Sequence, residues 1–104
     1  MLDRLEALLA AGQDTPALRF ALASGYLRAG DAERAIEHAG FAVAQEPNYS
    51  AAWRLLGQAE VLAGRHADAA LSFERGIAVA RAAGDRQVEK EMQVFLRRLE
   101  KQDR

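Results

Sequence analysis

The chain has 104 residues, half of them apolar, and a formal net charge of −1 at pH 7. That length suits one domain with a modest core, and the charge balance lacks the basic excess of a nucleic-acid binder. With no cysteine, the chain has neither a disulfide framework nor a thiolate metal site.

The apolar residues are mostly Ala and Leu, which favour helix, and only two residues are proline. Met1-Leu2-Asp3-Arg4-Leu5-Glu6 is interrupted by charge and leads into no long apolar run, so no signal peptide is expected. No stretch approaches the roughly eighteen apolar residues of a membrane span. The expected location is the cytoplasm, with no membrane partner.

In chain order, residues 2–11 read as a short amphipathic helix. Leu2, Leu5, Leu8 and Leu9 form its apolar face, and Asp3, Arg4 and Glu6 its polar one. Gly12 closes it. Asp14-Thr15-Pro16 starts a second helix, with a capping oxygen and a proline near the first turn. Leu18, Leu22 and Tyr26 share one face of that helix. Gly30-Asp31 ends it and caps the next, whose Ala35, Ala39, Ala42 and Val43 make a small-residue stripe. Glu46-Pro47-Asn48 breaks the chain.

The stretch 50–63 then reads as a fourth helix. Trp53, Leu56 and Glu60 lie on one face, with Gly57 beside Leu56. A glycine there costs about 1 kcal/mol against alanine and is tolerated where another helix comes close. Gly64 supplies a turn. Ala69 and Phe73 lie four apart on a fifth helix, and Ala69 is expected to face Gly57. After Gly84-Asp85, residues 86–101 carry Val88, Met92, Phe95, Leu96 and Leu99 at helical spacing. The outer face of this sixth helix is read as Glu89, Lys90, Arg97, Arg98, Glu100 and Lys101. That is a solvated face by default, with an acid-binding patch at Arg97, Arg98 and Lys101 as the lesser alternative. The fold class is all-α, with about six helices.

The run Trp53-Arg54-Leu55-Leu56-Gly57, followed by Ala69-Ala70-Leu71-Ser72-Phe73, resembles a unit of the tetratricopeptide repeat. Shifted back by thirty-four residues, the pattern meets Leu22, Ala23, Tyr26, Gly30 and Ala35, with Pro47 at the usual closing proline. Trp53, Leu56, Gly57, Ala69 and Phe73 carry the motif in the later unit. Arg19 stands at the usual tryptophan, Glu60 at the usual tyrosine and Arg81 at the usual proline. The last departure lets the fifth helix run on to Ala83. The resemblance covers about two thirds of the chain.

It implies antiparallel helical hairpins stacked as a short right-handed solenoid. Repeats are expected at 16–49 and 50–83, an amino-terminal capping helix at 1–12 and a carboxy-terminal one at 85–101. Such stacks need terminal covers.

The resemblance also implies a concave groove lined by the first helix of each repeat. Carried over residue by residue, its positions hold Ala17, Phe20, Ala21, Ser24, Leu27 and Arg28 in the first repeat. In the second they hold Ala51, Arg54, Leu55, Gln58, Val61 and Leu62. Phe20, Ser24, Leu27, Arg28, Arg54, Gln58 and Val61 are the candidates for contact with a partner. Phe20 offers a flat apolar anchor, Arg28 and Arg54 paired donors for a carboxylate, and Gln58 a donor and an acceptor. Equally, Phe20 packs on the amino-terminal helix, and Leu55 and Leu62 belong to the core.

A subset of the family clamps acidic carboxy termini with Lys and Asn. Phe20, Ser24 and Leu55 stand at those positions here, so such tails are not expected.

His38 and His66 read as surface histidines, since neither has ligands clustered at helical spacing. Ser24, Ser50 and Ser72 have no histidine placed by sequence to activate them. No catalytic residue, metal ligand or cofactor site is assigned. The sequence reads as a non-catalytic protein–protein interaction module or adaptor, taking a protein or peptide in the groove. A self-associating homodimer is the alternative.

Overall fold

Short-range chemistry sets several helix ends in the computed structural model, which describes residues 1–102. The Thr15 hydroxyl accepts from the Leu18 amide at 3.1 Å, with Pro16 as the first helical residue. Asp31 accepts from the Arg34 amide at 3.2 Å, and Asp85 from the Val88 amide at 3.4 Å. Gly84 ends its helix at φ 74°, a left-handed conformation that a side chain would strain.

The resulting helices are α1 (Leu2–Ala10), α2 (Pro16–Arg28), α3 (Ala32–Gln45), α4 (Ser50–Leu62), α5 (His66–Ala83) and α6 (Arg86–Gln102). Among the described residues there is no strand. With Arg81 in place of a proline, α5 does run to Ala83.

Packing follows chain order: α2 lies along α3, α3 meets α4, α4 lies along α5, and α6 covers α5. Two further contacts define the curvature. Helix α2 touches α4, and α4 touches α6, whereas α3 and α5 do not meet. The row α2, α4, α6 is therefore the closely spaced, inner side of a bent stack, and α3 and α5 splay on the outer side. Helix α1 rests mainly on α2, with Glu6 reaching His38 of α3.

The core runs through the stack in three adjoining clusters. Leu22, Tyr26, Ala35 and Ala59 are buried at the α1 end, with Leu2, Leu5 and Leu9 laid against them. Ala23, Ala39, Ala42, Val43, Ala52, Leu55 and Leu56 fill the middle. Ala69, Phe73, Ala80, Val88, Met92 and Leu99 fill the α6 end. Many of these side chains are methyl groups, which lets helix backbones approach closely. Leu8 departs from the expected apolar face of α1: it is exposed, and α1 buries no residue fully. A short helix at the end of the stack has only one narrow stripe to cover.

Gly57 also has a different neighbour from the one expected. A Cβ built on it would come under 3.0 Å from three atoms of the Phe73 ring, so the ring, not Ala69, occupies the space that glycine opens. Phe73 is wholly buried as a result. Gly76 likewise seats Trp53, whose Cβ would lie 2.8 Å from an added Cβ there.

Among the described residues, four polar ones are buried: Arg19, His38, Glu60 and Ser72. His38 corrects the expectation of a surface histidine. Its Nδ1 lies 3.1 Å from Arg19 Nη1 and accepts from it, and its Nε2 lies 3.4 Å from Glu6. Its ring stacks on Tyr26, with centroids 5.5 Å apart, and the Tyr26 hydroxyl donates to Glu6 at 2.7 Å. Arg19 is gripped by both Asp14 oxygens, at 2.8 and 2.9 Å, and lies 4.0 Å over the Phe41 ring. The hydrogen bond from Arg19, followed by one from Gln45, holds the Asp14 carboxyl down to about 2. A guanidinium thus fills the site where a tryptophan is usual because oxygen, nitrogen and a ring face all meet it.

At the other departure, Glu60 is buried and accepts from the Ser72 hydroxyl at 2.5 Å. Burial pushes its carboxyl above the ordinary 4.5, against the opposing pull of that hydrogen bond. The folded chain therefore binds this proton more tightly than the unfolded chain does. Stability contributed at this residue falls as pH rises from about 4.5 through the raised folded value. Glu60→Gln keeps an acceptor for Ser72 and removes the ionisation. Its thermal midpoint is expected above wild type at neutral pH, with the gap closing below 4.5. A gap of the same size at both pH values would show that ionisation of Glu60 is not its source.

Candidate functional site

On the inner side of the stack, α4 and α6 diverge enough to leave a slot of about 230 Å³. From α4, Gln58 and Val61 lie three apart and line one wall. From α6, Phe95, Arg98, Leu99 and Gln102 recur at helical spacing and line the other. Phe73 of α5 closes the floor. Its ring lies 5.5 Å from that of Phe95, tilted by 32°, and Arg98 sits 5.9 Å from the Phe95 centroid. The slot is thus apolar at its base, and among the described residues Arg98 is the one charged residue that lines it.

Of the seven residues expected to meet a partner, Gln58 and Val61 come together in this slot. The other five lie elsewhere. Arg54 is half-buried and donates to Glu91 of α6 at 2.7 Å, so its carboxylate comes from within the chain. Phe20 stacks on Tyr49, with centroids 5.2 Å apart, and packs half-buried against the middle core cluster. Leu27 packs against the first and middle core clusters. Arg28 is exposed and donates to Ser24 at 3.3 Å. Of the two leucines, Leu55 is core, whereas Leu62 is 51% exposed.

Phe95, Arg98, Leu99 and Gln102 were outside the expected groove because α6 does not carry the repeat motif. Their signal in the sequence is the basic cluster Arg97, Arg98 and Lys101 at the end of α6, the lesser alternative to a solvated face. Glu89, expected on that outer face, is instead tucked in at 17% side-chain exposure, held by Arg81 at 2.8 Å and Gln93 at 3.2 Å.

The chemistry on offer is recognition. Pockets that enclose whole small molecules run to about 300–1,000 Å³, so the slot matches a single side chain better. A second recess, beside Glu6, Arg19 and His38, is lined by groups already bonded to one another. Among the described residues, no cluster of three His, Asp or Glu could hold a metal ion. No helix there is long and apolar enough to cross a membrane.

A model of the tetratricopeptide repeat matches residues 16–59. A TPR repeat-containing protein of Pseudomonas aeruginosa is 54% identical over 101 residues, which cover 97% of this chain and 96% of that one. The chain belongs to the tetratricopeptide repeat family. The solution structure of a Bordetella parapertussis protein superposes with a TM-score of 0.86 at 43% identity, over 99% of this chain and 90% of that one. The crystal structure of a tetratricopeptide repeat domain protein from Salinibacter ruber gives 0.77 at 30% identity, over 84% and 97%.

Proteins of this family are in general non-catalytic scaffolds for protein–protein interaction. The family's helical-repeat solenoid accounts for the inner row of α2, α4 and α6. It also accounts for the glycine-to-ring contact between Gly57 and Phe73, two residues of its motif.

Proposed function

We propose that the protein is an adaptor that binds a peptide or a partner protein along the concave face of α2, α4 and α6. In this reading 16–49 and 50–83 are the two repeats, α1 and α6 are the caps, and α6 doubles as a wall of the binding face. The slot between α4 and α6 carries the proposal: an apolar recess sized for a side chain, rimmed by groups that bond a peptide. The Arg54–Glu91 pair fixes α6 beside α4 and keeps that recess formed. A homodimer built on Phe20 and Leu27 has less support, because both side chains already pack inside their own chain.

The test is selection of a displayed random-peptide library on the wild-type protein, followed by amide NMR titration with the enriched peptides. Shifts grouped on α2, α4 and α6 are the expected outcome. Enriched peptides that shift only α3 and α5, or a library that yields no binder, would overturn the proposal.

A further inference from the structure

The rim chemistry of the slot points to the kind of peptide. Its base, from Val61, Phe73, Phe95 and Leu99, is apolar and takes an aliphatic or similar side chain. Among the described residues no acidic one lines it, and Glu91, one turn before Phe95 on α6, is already bonded to Arg54. Among the described residues, Arg98 is therefore the charge that a ligand meets there. Its planar guanidinium lies against the Phe95 ring, which orients it and leaves N–H donors for an incoming carboxylate.

The two remaining lining groups are carboxamides on opposite walls, Gln58 from α4 and Gln102 from α6. Each offers both a donor and an acceptor, the pair of functions that a passing peptide backbone presents. Amides on both sides favour a chain that crosses the slot over one that ends in it.

We infer that the slot recognises an internal, extended peptide segment in which an aliphatic residue is followed by Asp or Glu, the aliphatic side chain entering the recess and the carboxylate pairing with Arg98. This rests on the concave-face reading above and names the partner's chemistry.

Three synthetic peptides test it by amide NMR titration. The first is acetyl-Gly-Ser-Gly-Leu-Asp-Gly-Ser-Gly-amide. The second replaces Asp by Asn. The third, acetyl-Gly-Ser-Gly-Leu with a free carboxylate, presents a chain terminus. The Asp peptide is expected to shift Gln58, Val61, Phe95 and Arg98 and to bind about fivefold tighter than the Asn peptide, the upper end for an ion pair at an exposed arginine.

Arg98→Gln should erase that preference. Arg97→Gln, an exposed neighbour that does not line the slot, should leave it intact. Both arginines are exposed, so a helical melt matching wild type is expected and is checked first. Equal binding of the Asp and Asn peptides, an unchanged preference in Arg98→Gln, or tighter binding of the free-carboxylate peptide would each overturn the inference. If library-selected peptides still map to α2, α4 and α6 while the Asp peptide does not bind, the adaptor reading stands and the acidic-aliphatic specificity falls. If no peptide maps to that face, both fall.

Discussion

Gly57→Leu is expected to lower the unfolding free energy by at least about 3 kcal/mol, the upper end for overpacking a filled core. Even a Cβ at this position would come under 3.0 Å from the Phe73 ring, and the ring has nowhere to go. Phe73 is wholly buried, has Phe95 as its aromatic neighbour and forms the floor of the slot. The isobutyl group must therefore push α4 away from α5, which opens the middle of the stack.

Phe73→Ala removes the ring from the other side and should cost about 3–5 kcal/mol through the cavity it leaves. The two changes are coupled, because the leucine can occupy part of the space that the ring vacates. The double variant should be destabilised by clearly less than the sum of the single variants. Urea unfolding of the four proteins measures this. Strict additivity would mean that the ring and the glycine do not share one space. A domain of ordinary stability has only about 5–15 kcal/mol in total, so either single variant brings the fold close to its limit.

Trp53→Ala should cost about 3 kcal/mol, the lower end for removing an aromatic side chain from a core. The ring is half-buried rather than enclosed, which sets the lower end. It packs against the middle cluster, its Cβ lies over Gly76, and Arg75 sits 5.7 Å from its ring. Its indole nitrogen also donates to the Pro47 carbonyl at 2.8 Å, tying the loop before α4 to the helix itself. Trp53→Phe keeps most of the packing and loses that bond, so it should cost about 1 kcal/mol more than a neutral exchange. Urea midpoints of the three proteins separate packing from tethering. An alanine variant as stable as wild type would remove Trp53 from the repeat contact altogether.

The helices and their ends could be read without any structure. Thr15, Asp31 and Asp85 each cap through an amide three residues on, and the apolar positions three and four apart mark which side of each helix faces inward. These are interactions within a turn or two, so residue order alone specifies them. The spacing of Trp53, Leu56, Gly57, Ala69 and Phe73 also identified the family, because a close helix crossing needs small and large residues at set intervals.

What the order of residues did not contain is which distant polar groups would meet. His38 looked like a surface residue until α1 brought Glu6 to one ring nitrogen and α2 brought Arg19 to the other. Arg54 looked free for a ligand until α6 placed Glu91 against it, thirty-seven residues further along. The slot itself is formed by side chains of three helices, two of them from a helix pair with a recognisable motif and one from a helix without it. A charged or amide side chain has no fixed preference between solvent, an internal partner and a ligand. That choice is made by whatever the folded chain sets beside it, so only the tertiary structure decided it.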